Sequence, residues 1–428
     1  MVEIKRILVF PCGSEVGLEI HRSLRFEKFI ELFGGSSIDD HGKFVYENYI
    51  GNIPFYSESN FIQEINKVVS CHAINAIYPT MDSVVECIAK NQRHIKAIGI
   101  VPSSLTAAVC NSKLKTYQIL NDTVITPKCY DSLSKIDRYP VFMKPPNSYG
   151  SRGTALVNTS VQAAAHLEKY PESLIMEYLP GPEYTIDCFT NREGQVLFAG
   201  PRLRKRVING ISVQASPYEG DCKVFEEMAN MLNTLIEFRG AWFFQVRENF
   251  SSEKVLLEVS NRPAGGSSLC RNIGINLPLL TLFDRFGHNV KILRNSFHIE
   301  LSRSLENKFE LNLVCKKVYV DFDDCLCLGG KVNSMLVALV FDLRNKGKKI
   351  ILLSRHKGDV KSRLRKLRLL EIFDTVFVIP KTHRKSDYIE QDGSILIDDS
   401  YEERFEVSER LHIPVFAVDA IECLFGIQ

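Results

Sequence analysis

Carboxylates follow two strand-like runs in the last quarter of the chain. Asp321 and Asp323 come directly after the run 318–320 (VYV), and Asp398 and Asp399 follow the run 395–397 (ILI). Clustered carboxylates repel one another unless a cation joins them, and Mg²⁺ prefers oxygen ligands of this kind. The four acids therefore predict a magnesium site, whereas a single acid pair after a strand is more simply explained as a helix cap.

A hydroxyl and a cation extend this group. Ser354 ends the apolar run 350–353 (IILL), and Lys385 lies in the polar segment 383–387 (HRKSD). Both are residue types that hold phosphate oxygens. Three strand ends with matching chemistry favour a phosphate site that contains Mg²⁺.

A second group of oxygen donors lies in the middle of the chain. Gln245 interrupts the apolar run 242–246 (WFFQV), and Glu258 interrupts the run 255–259 (VLLEV). A carboxylate in an apolar run needs a partner, and two oxygen donors on adjacent strands suit Mg²⁺ shared with nucleotide phosphates. Arg262 follows and is suited to stabilising a phosphoryl group. An exposed strand edge is the simpler alternative.

Cations and a glycine-containing loop precede those strands. Lys113 is predicted at the start of a helix over 111–120, and Lys144 on a strand. The loop 147–154 (NSYGSRGT) allows backbone amides to approach a polyphosphate, although it fits neither the Walker pattern nor a dinucleotide fingerprint. An ordinary hairpin loop is the alternative.

Three arginines alternate in the run 201–206 (PRLRKR). Arg202, Arg204 and Arg206 would share one face of a regular strand. Such a cationic run usually marks a solvated strand edge. Beside a phosphate site, we expect at least one of the three to meet an anionic substrate.

The elements that position these residues alternate between strand-like and helix-like patterns, which indicates a multidomain protein of α/β and α+β class. The strand 7–10 leads into a helix near Glu15, and the strand 76–79 leads into another, which is a doubly wound pattern. The region 126–290 is dominated by strands and hairpins. A fresh strand near 317, after a polar stretch, begins a further doubly wound region.

Composition narrows the classes of function. The chain has 428 residues and a formal net charge of +2, so a dedicated nucleic-acid-binding or membrane-surface protein is disfavoured. The 12 cysteines are scattered, which indicates free thiols in a reducing compartment. With no apolar stretch of 18 residues, we expect a soluble, cytoplasmic protein.

Taken in order, the middle motifs resemble the ATP-grasp superfamily, most closely the branch of carbamoyl phosphate synthase and biotin carboxylase. The resemblance implies a Rossmann-like pre-ATP-grasp domain at 1–105 and an ATP-grasp domain at 106–300, with a glycine-rich lobe at about 126–180. It implies ATP and Mg²⁺, with Mn²⁺ as an alternative ion. By position, the ATP-binding residues are Lys113, Lys144, Ser148, Gly150, Ser151, Gly153, Met176, Glu177, Leu179 and Glu183, and the metal ligands are Gln245, Glu258 and Asn261.

One position departs from that family. Ser260 stands where the family's Glu-x-Asn-x-Arg pattern has its asparagine. Either Ser260 is a poorer ligand or a one-residue bulge brings Asn261 into place. Arg262 matches the arginine that stabilises an acyl phosphate.

The C-terminal residues 315–428 resemble the haloacid dehalogenase superfamily in its compact form. The resemblance makes Asp321 the nucleophile and Asp323 the general acid/base, and both are also assigned to the metal site with Asp398 and Asp399. Ser354 and Lys385 become phosphate-binding residues. Cys325 replaces the usual threonine or serine.

These resemblances predict an ATP-dependent carboxylate–amine ligase fused to a Mg²⁺-dependent phosphohydrolase. The expected partners are small carboxylates and amines, and a phosphorylated small molecule for the C-terminal domain, with neither nucleic acid nor membrane. A homodimer is the default assembly. The alternatives are a phosphohydrolase with a nucleotide-sensing module, and a non-catalytic scaffold that only binds ligands.

Overall fold

The computed structural model describes residues 3–120, 123–146, 153–309 and 311–427. It divides into two compact units, Met1–Leu305 and Glu306–Gln428, which we call the first and second units.

The first unit begins with a parallel sheet in the order β3-β2-β1-β4-β5. β1 is apolar throughout its centre because it is covered on both faces, with Leu8 in one core cluster and Ile7 and Val9 in another. Ser14 caps the first helix by accepting a hydrogen bond from the amide of Gly17. The elements are β1 (Lys5–Phe10), α1 (Glu15–Leu24), β2 (Ile30–Gly35), a 3₁₀ turn (His41–Phe44), β3 (Asn48–Ile50), α2 (Phe61–Cys71), β4 (Ala76–Pro79), α3 (Asp82–Asn91), a 3₁₀ turn (Gln92–His94) and β5 (Ile98–Gly99).

Two helices and a small antiparallel sheet follow. The helix predicted over 111–120 begins at Lys113, because Asn111 caps the end of a separate preceding helix. The sheet has the order β6-β9-β7-β8. The elements are α4 (Ser104–Cys110), α5 (Lys113–Leu120), β6 (Cys129–Tyr130), a 3₁₀ turn (Leu133–Lys135), β7 (Val141–Lys144), β8 (Ala155–Val157), α6 (Ser160–Lys169) and β9 (Leu174–Glu177).

A larger antiparallel sheet completes the first unit, in the order β14-β13-β10-β11-β12-β15. One face is apolar, and its Ile186, Trp242 and Phe244 pack with Phe225 and Leu232 of helix α7. The elements are β10 (Glu183–Thr190), β11 (Val196–Ile208), β12 (Ile211–Pro217), α7 (Lys223–Ile236), β13 (Gly240–Glu248), β14 (Lys254–Ser260), α8 (Ser268–Asn272), α9 (Leu277–Arg285) and β15 (Leu301–Ser302).

The second unit is a parallel sheet in the order β20-β19-β16-β21-β22, with a separate hairpin, β17-β18. Its first strand is central, so the carboxyl ends of β19 and β21 flank that of β16. The elements are β16 (Lys317–Val320), β17 (Cys327–Leu328), β18 (Lys331–Val332), α10 (Ser334–Asn345), β19 (Lys349–Ser354), α11 (Val360–Lys366), β20 (Thr375–Val378), β21 (Ser394–Ile397), α12 (Tyr401–Leu411) and β22 (Val415–Phe416), with 3₁₀ turns at Leu370–Ile372, Lys385–Tyr388 and Val418–Gly426.

All twelve cysteines are free thiols, as predicted. Among the described residues, no helix combines the length and the apolar character that crossing a membrane requires.

Candidate active sites

A row of polar residues crosses the second face of the large sheet. Cross-strand partners share a face, and Arg202, Thr185, Gln245 and Glu258 form one such row across β11, β10, β13 and β14. The row lies opposite the core that packs on α7. The polar residues predicted from the two apolar runs therefore share one surface.

A bulge at Leu257 gives Glu258 its place in that row. Val246 pairs with Leu256 and Gln245 pairs with Glu258, so Leu257 has no partner in the ladder. Leu256 consequently packs in the apolar core although it is only two positions from Glu258. The bulge lies before Glu258, which differs from the predicted bulge that would bring Asn261 into place.

The two predicted lysines meet at this bulge. Lys144 is 6% exposed, and its Nζ donates to Tyr117 Oη at 3.1 Å and to the Leu257 carbonyl at 3.2 Å. Burial, with a smaller contribution from the charge of Lys113, lowers the pKa of Lys144 to about 8. Lys113 Nζ lies 3.8 Å from Glu258 Oε2. Lys113, Lys144 and Glu258 thus form one charged group.

Asp82 organises the end of β14. Its Oδ1 accepts a hydrogen bond from Ser260 Oγ at 2.5 Å, and its Oδ2 lies 2.8 Å from Arg262 Nη2. The Arg262 guanidinium also lies over the ring of Phe243, 5.4 Å from its centre. Asp82 and Tyr117 were not among the predicted site residues; Tyr117 follows Lys113 at the i+4 spacing of one helix face, a signal that could have identified it.

The same strand end can hold a cation. Asn261 Oδ1 is buried and has no hydrogen-bond partner in the described part of the chain. The Ser260 hydroxyl, by contrast, is used by Asp82. A buried oxygen without a donor, close in sequence to the Glu258 carboxylate, fits Mg²⁺. Asn261 is therefore the better candidate of the two alternatives.

Gln245 and Glu183, which were predicted to bind metal and ATP, both contact Arg204 instead. Arg204 Nη1 donates to Gln245 Oε1 at 2.7 Å and also pairs with the Glu183 carboxylate. The oxygen that was predicted to bind metal is thus already a hydrogen-bond acceptor for a guanidinium. In this arrangement Gln245 is not a free ligand.

The expectation that the three arginines share a face holds for Arg202 and Arg204 but is wrong for Arg206. Arg202 is 3% exposed and its Nε lies 2.7 Å from Oδ2 of fully buried Asp187, so it belongs to an internal ion pair. The register of β11 shifts between Arg204 and Arg206, which interrupts the alternation. Arg206 is exposed.

Three of the predicted ATP-binding residues lie around β9. Met176 and Leu179 are buried, and Glu177 exchanges two hydrogen bonds of 2.9 Å with the backbone of Lys128. Gly153 has a φ of 70°, which favours glycine. The predicted Ser148, Gly150 and Ser151 lie outside the described residues.

In the second unit, the strand ends converge as predicted. Carboxylate oxygens of Asp321, Asp398 and Asp399 lie within 4.8 Å of one another. Lys385 is 2% exposed, and its Nζ lies 2.7 Å from Asp321 Oδ1 and 2.5 Å from Asp398 Oδ2. Burial raises the pKa of Asp321 to about 7, although Lys385 opposes the shift. A divalent cation would offset the repulsion among these acids.

Asp323 lies apart from that acid cluster. Its carboxylate lies 2.9 Å from His356 Nδ1, so its assignment to the metal site is not supported through its side chain. Ser354 is fully buried and its Oγ accepts from the His356 amide at 3.1 Å. His356 was missed from the sequence, although it lies two residues after Ser354. Cys325 is buried, with Sγ 3.7 Å from the Ile397 carbonyl.

Comparison with known proteins bears on the first unit. Residues 169–304 match the family described as "ATP-grasp in the biosynthetic pathway with Ter operon". The chain carries an ATP-grasp fold. A D-alanine–D-alanine ligase of Fusobacterium nucleatum is 35% identical over 130 residues, which are 29% of this chain and 45% of that ligase. The chain thus spans less than half the length of this relative.

Solved structures agree on the ATP-grasp fold. The biotin carboxylase domain of Hydrogenobacter thermophilus 2-oxoglutarate carboxylase, in complex with MgADP, ADP and bicarbonate, has a TM-score of 0.58 at 14% identity, covering 68% of this chain and 72% of that one. An L-amino acid ligase of Bacillus licheniformis has a TM-score of 0.53 at 17% identity, covering 66% and 74%.

Within the ATP-grasp fold, the small and large sheets meet at Lys144. This residue ends β7 in the small sheet and donates to the Leu257 carbonyl in β14 of the large sheet. Lys113 and Lys144 provide positive charge for the phosphates of a nucleoside triphosphate. The Glu258 carboxylate and the buried Asn261 amide oxygen provide oxygen ligands for its metal.

Proposed function

We propose that the ATP-grasp domain is an ATP-dependent carboxylate–amine ligase that acts through an acyl phosphate. The observation that carries this proposal is the convergence of Lys113, Lys144 and Glu258 at the Leu257 bulge, next to the strand end that bears Arg262. These are the charges required to hold ATP and stabilise a phosphoryl group in transfer.

Each residue has a distinct role in this proposal. Lys113 and Lys144 hold ATP phosphates. The adenine lies against buried Met176 of the small sheet and buried Leu179, which follows β9. Glu258 and Asn261 hold Mg²⁺, which neutralises phosphate charge when it is bound.

The chemistry proceeds in two transfers. A carboxylate oxygen of the substrate attacks the γ-phosphorus, the bond to the β-phosphate oxygen breaks, and ADP leaves with the bonding electrons. An amine then attacks the acyl carbon, phosphate leaves and the amine loses a proton. Arg262, held by Asp82 and Phe243, stabilises the anionic transition states.

The names of the relatives support amino acids as the class of carboxylate. Both a D-alanine–D-alanine ligase and an L-amino acid ligase join amino acids by name. Incubation with ATP, Mg²⁺ and a panel of amino acids and other carboxylates, with mass spectrometry of the product, tests the proposal. We expect ADP and phosphate release that depends on two co-substrates.

A matched pair of variants controls that screen. Glu258→Ala should abolish turnover, whereas Glu253→Ala, in the exposed turn before the same strand, should retain it. Equal turnover in Glu258→Ala and the parent protein would reject the ligase proposal.

The second unit favours a second activity, a phosphohydrolase of the haloacid dehalogenase type. The supporting observation is the buried contact of Lys385 with Asp321 and Asp398 at the end of the central strand. Asp321 attacks the phosphorus, and the alcohol leaves with a proton from Asp323. Water then cleaves the aspartyl phosphate and releases inorganic phosphate. Asp321, Asp398 and Asp399 hold Mg²⁺.

Para-nitrophenyl phosphate provides the test of this second activity. Asp321→Asn should abolish its hydrolysis. Asp324→Asn is the matched control, because Asp324 is exposed and has a φ of 52°, a conformation that asparagine tolerates. Hydrolysis that survives in Asp321→Asn would exclude this activity from the site.

A further inference from the structure

The loop and helix that follow β19 are strongly cationic. Residues 355–368 contain seven lysines and arginines but a single acid, Asp359. Arg355 is paired with Glu403. The other cations, which we call the basic rim, have no acidic partner among the described residues: Lys357, Lys361, Arg363, Arg365, Lys366 and Arg368.

The basic rim begins beside Asp323, the proposed acid/base residue. His356, directly before Lys357, contacts the Asp323 carboxylate at 2.9 Å. Arg363 reaches the β17-β18 hairpin, where its Nη2 lies 4.0 Å from the position that a Cβ on Gly330 would occupy. The cations thus extend from the predicted acid/base residue to the hairpin.

Ordinary solvation is a poor explanation of the rim. Charged helix surfaces usually interleave acids with cations, whereas Lys361 and Arg365 are like charges at the destabilising i,i+4 spacing. The helix that follows β21, on the other side of the central strand, differs: α12 begins with exposed Tyr401 and Glu402. Arg404 of α12 donates to the carbonyls of Asp398 and Asp399, whereas the cations of the basic rim have no such partners in the described part of the chain and lie on the β19 side.

We infer that the second unit acts on a phosphate monoester that carries further phosphate or carboxylate groups, which the basic rim binds. This inference rests on the proposed phosphohydrolase activity and names its substrate class. The seven residues of α11 span about 10 Å, which suits a small polyanionic molecule better than a long polymer. The scissile phosphate enters the acid cluster while the remaining anions lie along α11.

The test compares two substrates in the full-length protein. Para-nitrophenyl phosphate has no anion beyond the phosphate that is hydrolysed, whereas a nucleoside 3′,5′-bisphosphate has one more phosphate. We expect a higher kcat/KM for the bisphosphate, and we expect that preference to weaken at about 0.5 M salt.

Variants that remove positive charge test whether the basic rim causes the preference for the bisphosphate. Lys361→Gln/Arg365→Gln/Lys366→Gln should lower kcat/KM for the bisphosphate about tenfold and leave para-nitrophenyl phosphate unchanged. Lys316→Gln/Lys346→Gln/Lys349→Gln is the matched control: it removes the same charge from exposed positions near the amino ends of the strands. An unchanged preference in the rim variant, or an equal loss in the control, would overturn the inference.

A binding measurement distinguishes failure of this inference from failure of the phosphohydrolase proposal on which it rests. If the parent protein fails to hydrolyse para-nitrophenyl phosphate, the phosphohydrolase proposal fails. The dissociation constant of the bisphosphate, measured by calorimetry on Asp321→Asn, then tests the rim alone. We expect the rim substitutions to weaken binding about tenfold in that background; unchanged binding would count against the basic rim as a polyanion site.

Discussion

Asp82 Oδ2 lies 2.8 Å from Arg262 Nη2 although 180 residues separate the two. Asp82 begins α3, at the carboxyl end of the first sheet, and Arg262 follows the last long strand of the large sheet. The acidic partner of the predicted catalytic arginine therefore comes from the Rossmann-like part of the first unit.

Replacement of Asp82 should impair catalysis more than ATP binding. Asp82→Asn removes the charge that orients Arg262, and charge-assisted hydrogen bonds contribute about 1.5–3 kcal/mol, so kcat should fall about tenfold to a hundredfold. Steady-state kinetics with ATP varied should show KM for ATP nearly unchanged. Glu64→Gln, in an exposed ion pair on α2, should leave both constants alone. A kcat equal to that of the parent would remove Asp82 from the mechanism.

ATP affinity should decline as pH rises through the pKa of Lys144. Burial lowers this pKa to about 8, so the ammonium is present at pH 7 and is lost toward pH 9. Bound phosphate favours the protonated form and shifts the decline upward in pH. Calorimetry at fixed Mg²⁺ should show weaker binding at pH 9 than at pH 7 in the parent and in the control Lys128→Met. A Lys144→Met variant with the parent's pH dependence would contradict this assignment.

Asn261 and Ser260 should have separable effects on metal binding. Asn261→Ala removes the buried unpartnered oxygen and should raise the Mg²⁺ concentration for half-maximal activity about tenfold or more. Ser260→Ala removes only the hydrogen bond to Asp82 and should leave that concentration nearly unchanged. Mg²⁺ titrations of both variants check this prediction. A larger increase in the half-maximal Mg²⁺ concentration for Ser260→Ala than for Asn261→Ala would make Ser260 the ligand.

The Asp187–Arg202 pair should matter for stability. Arg202→Met leaves a fully buried carboxylate without its cation, which typically costs about 3–5 kcal/mol. Asp187→Leu/Arg202→Met removes both charges and should recover most of the loss. Thermal unfolding followed by circular dichroism measures both. A stable single variant that loses only substrate affinity would instead support the predicted substrate contact of Arg202.

Local patterns predicted much of the fold. The run 7–10 is apolar at every position because both of its faces are covered, and Ser14 supplies a conventional cap for α1. The acid-ended strands of the second unit were likewise visible, because carboxylates rarely follow buried strands without a partner.

Tertiary contacts explain what the sequence could not predict. The bulge in β11 that separates Arg204 from Arg206 depends on pairing with β12. The contact of Asp82 with Arg262 joins distant segments, and that of His356 with Asp323 depends on the packing of two strands. No periodicity within one segment carries such information.

The extra residue in β14 links the bulge to the position of the buried Lys144 ammonium. Leu257 is what allows Leu256 to face the core and Glu258 the polar surface. Deleting Leu257 would make these two residues adjacent, and regular alternation would still place them on opposite faces. The deletion would instead remove the bulged carbonyl that accepts hydrogen bonds from Lys144 and Tyr117. The extra residue therefore serves the buried lysine, and a domain that lacks the insertion must anchor its lysine on another acceptor.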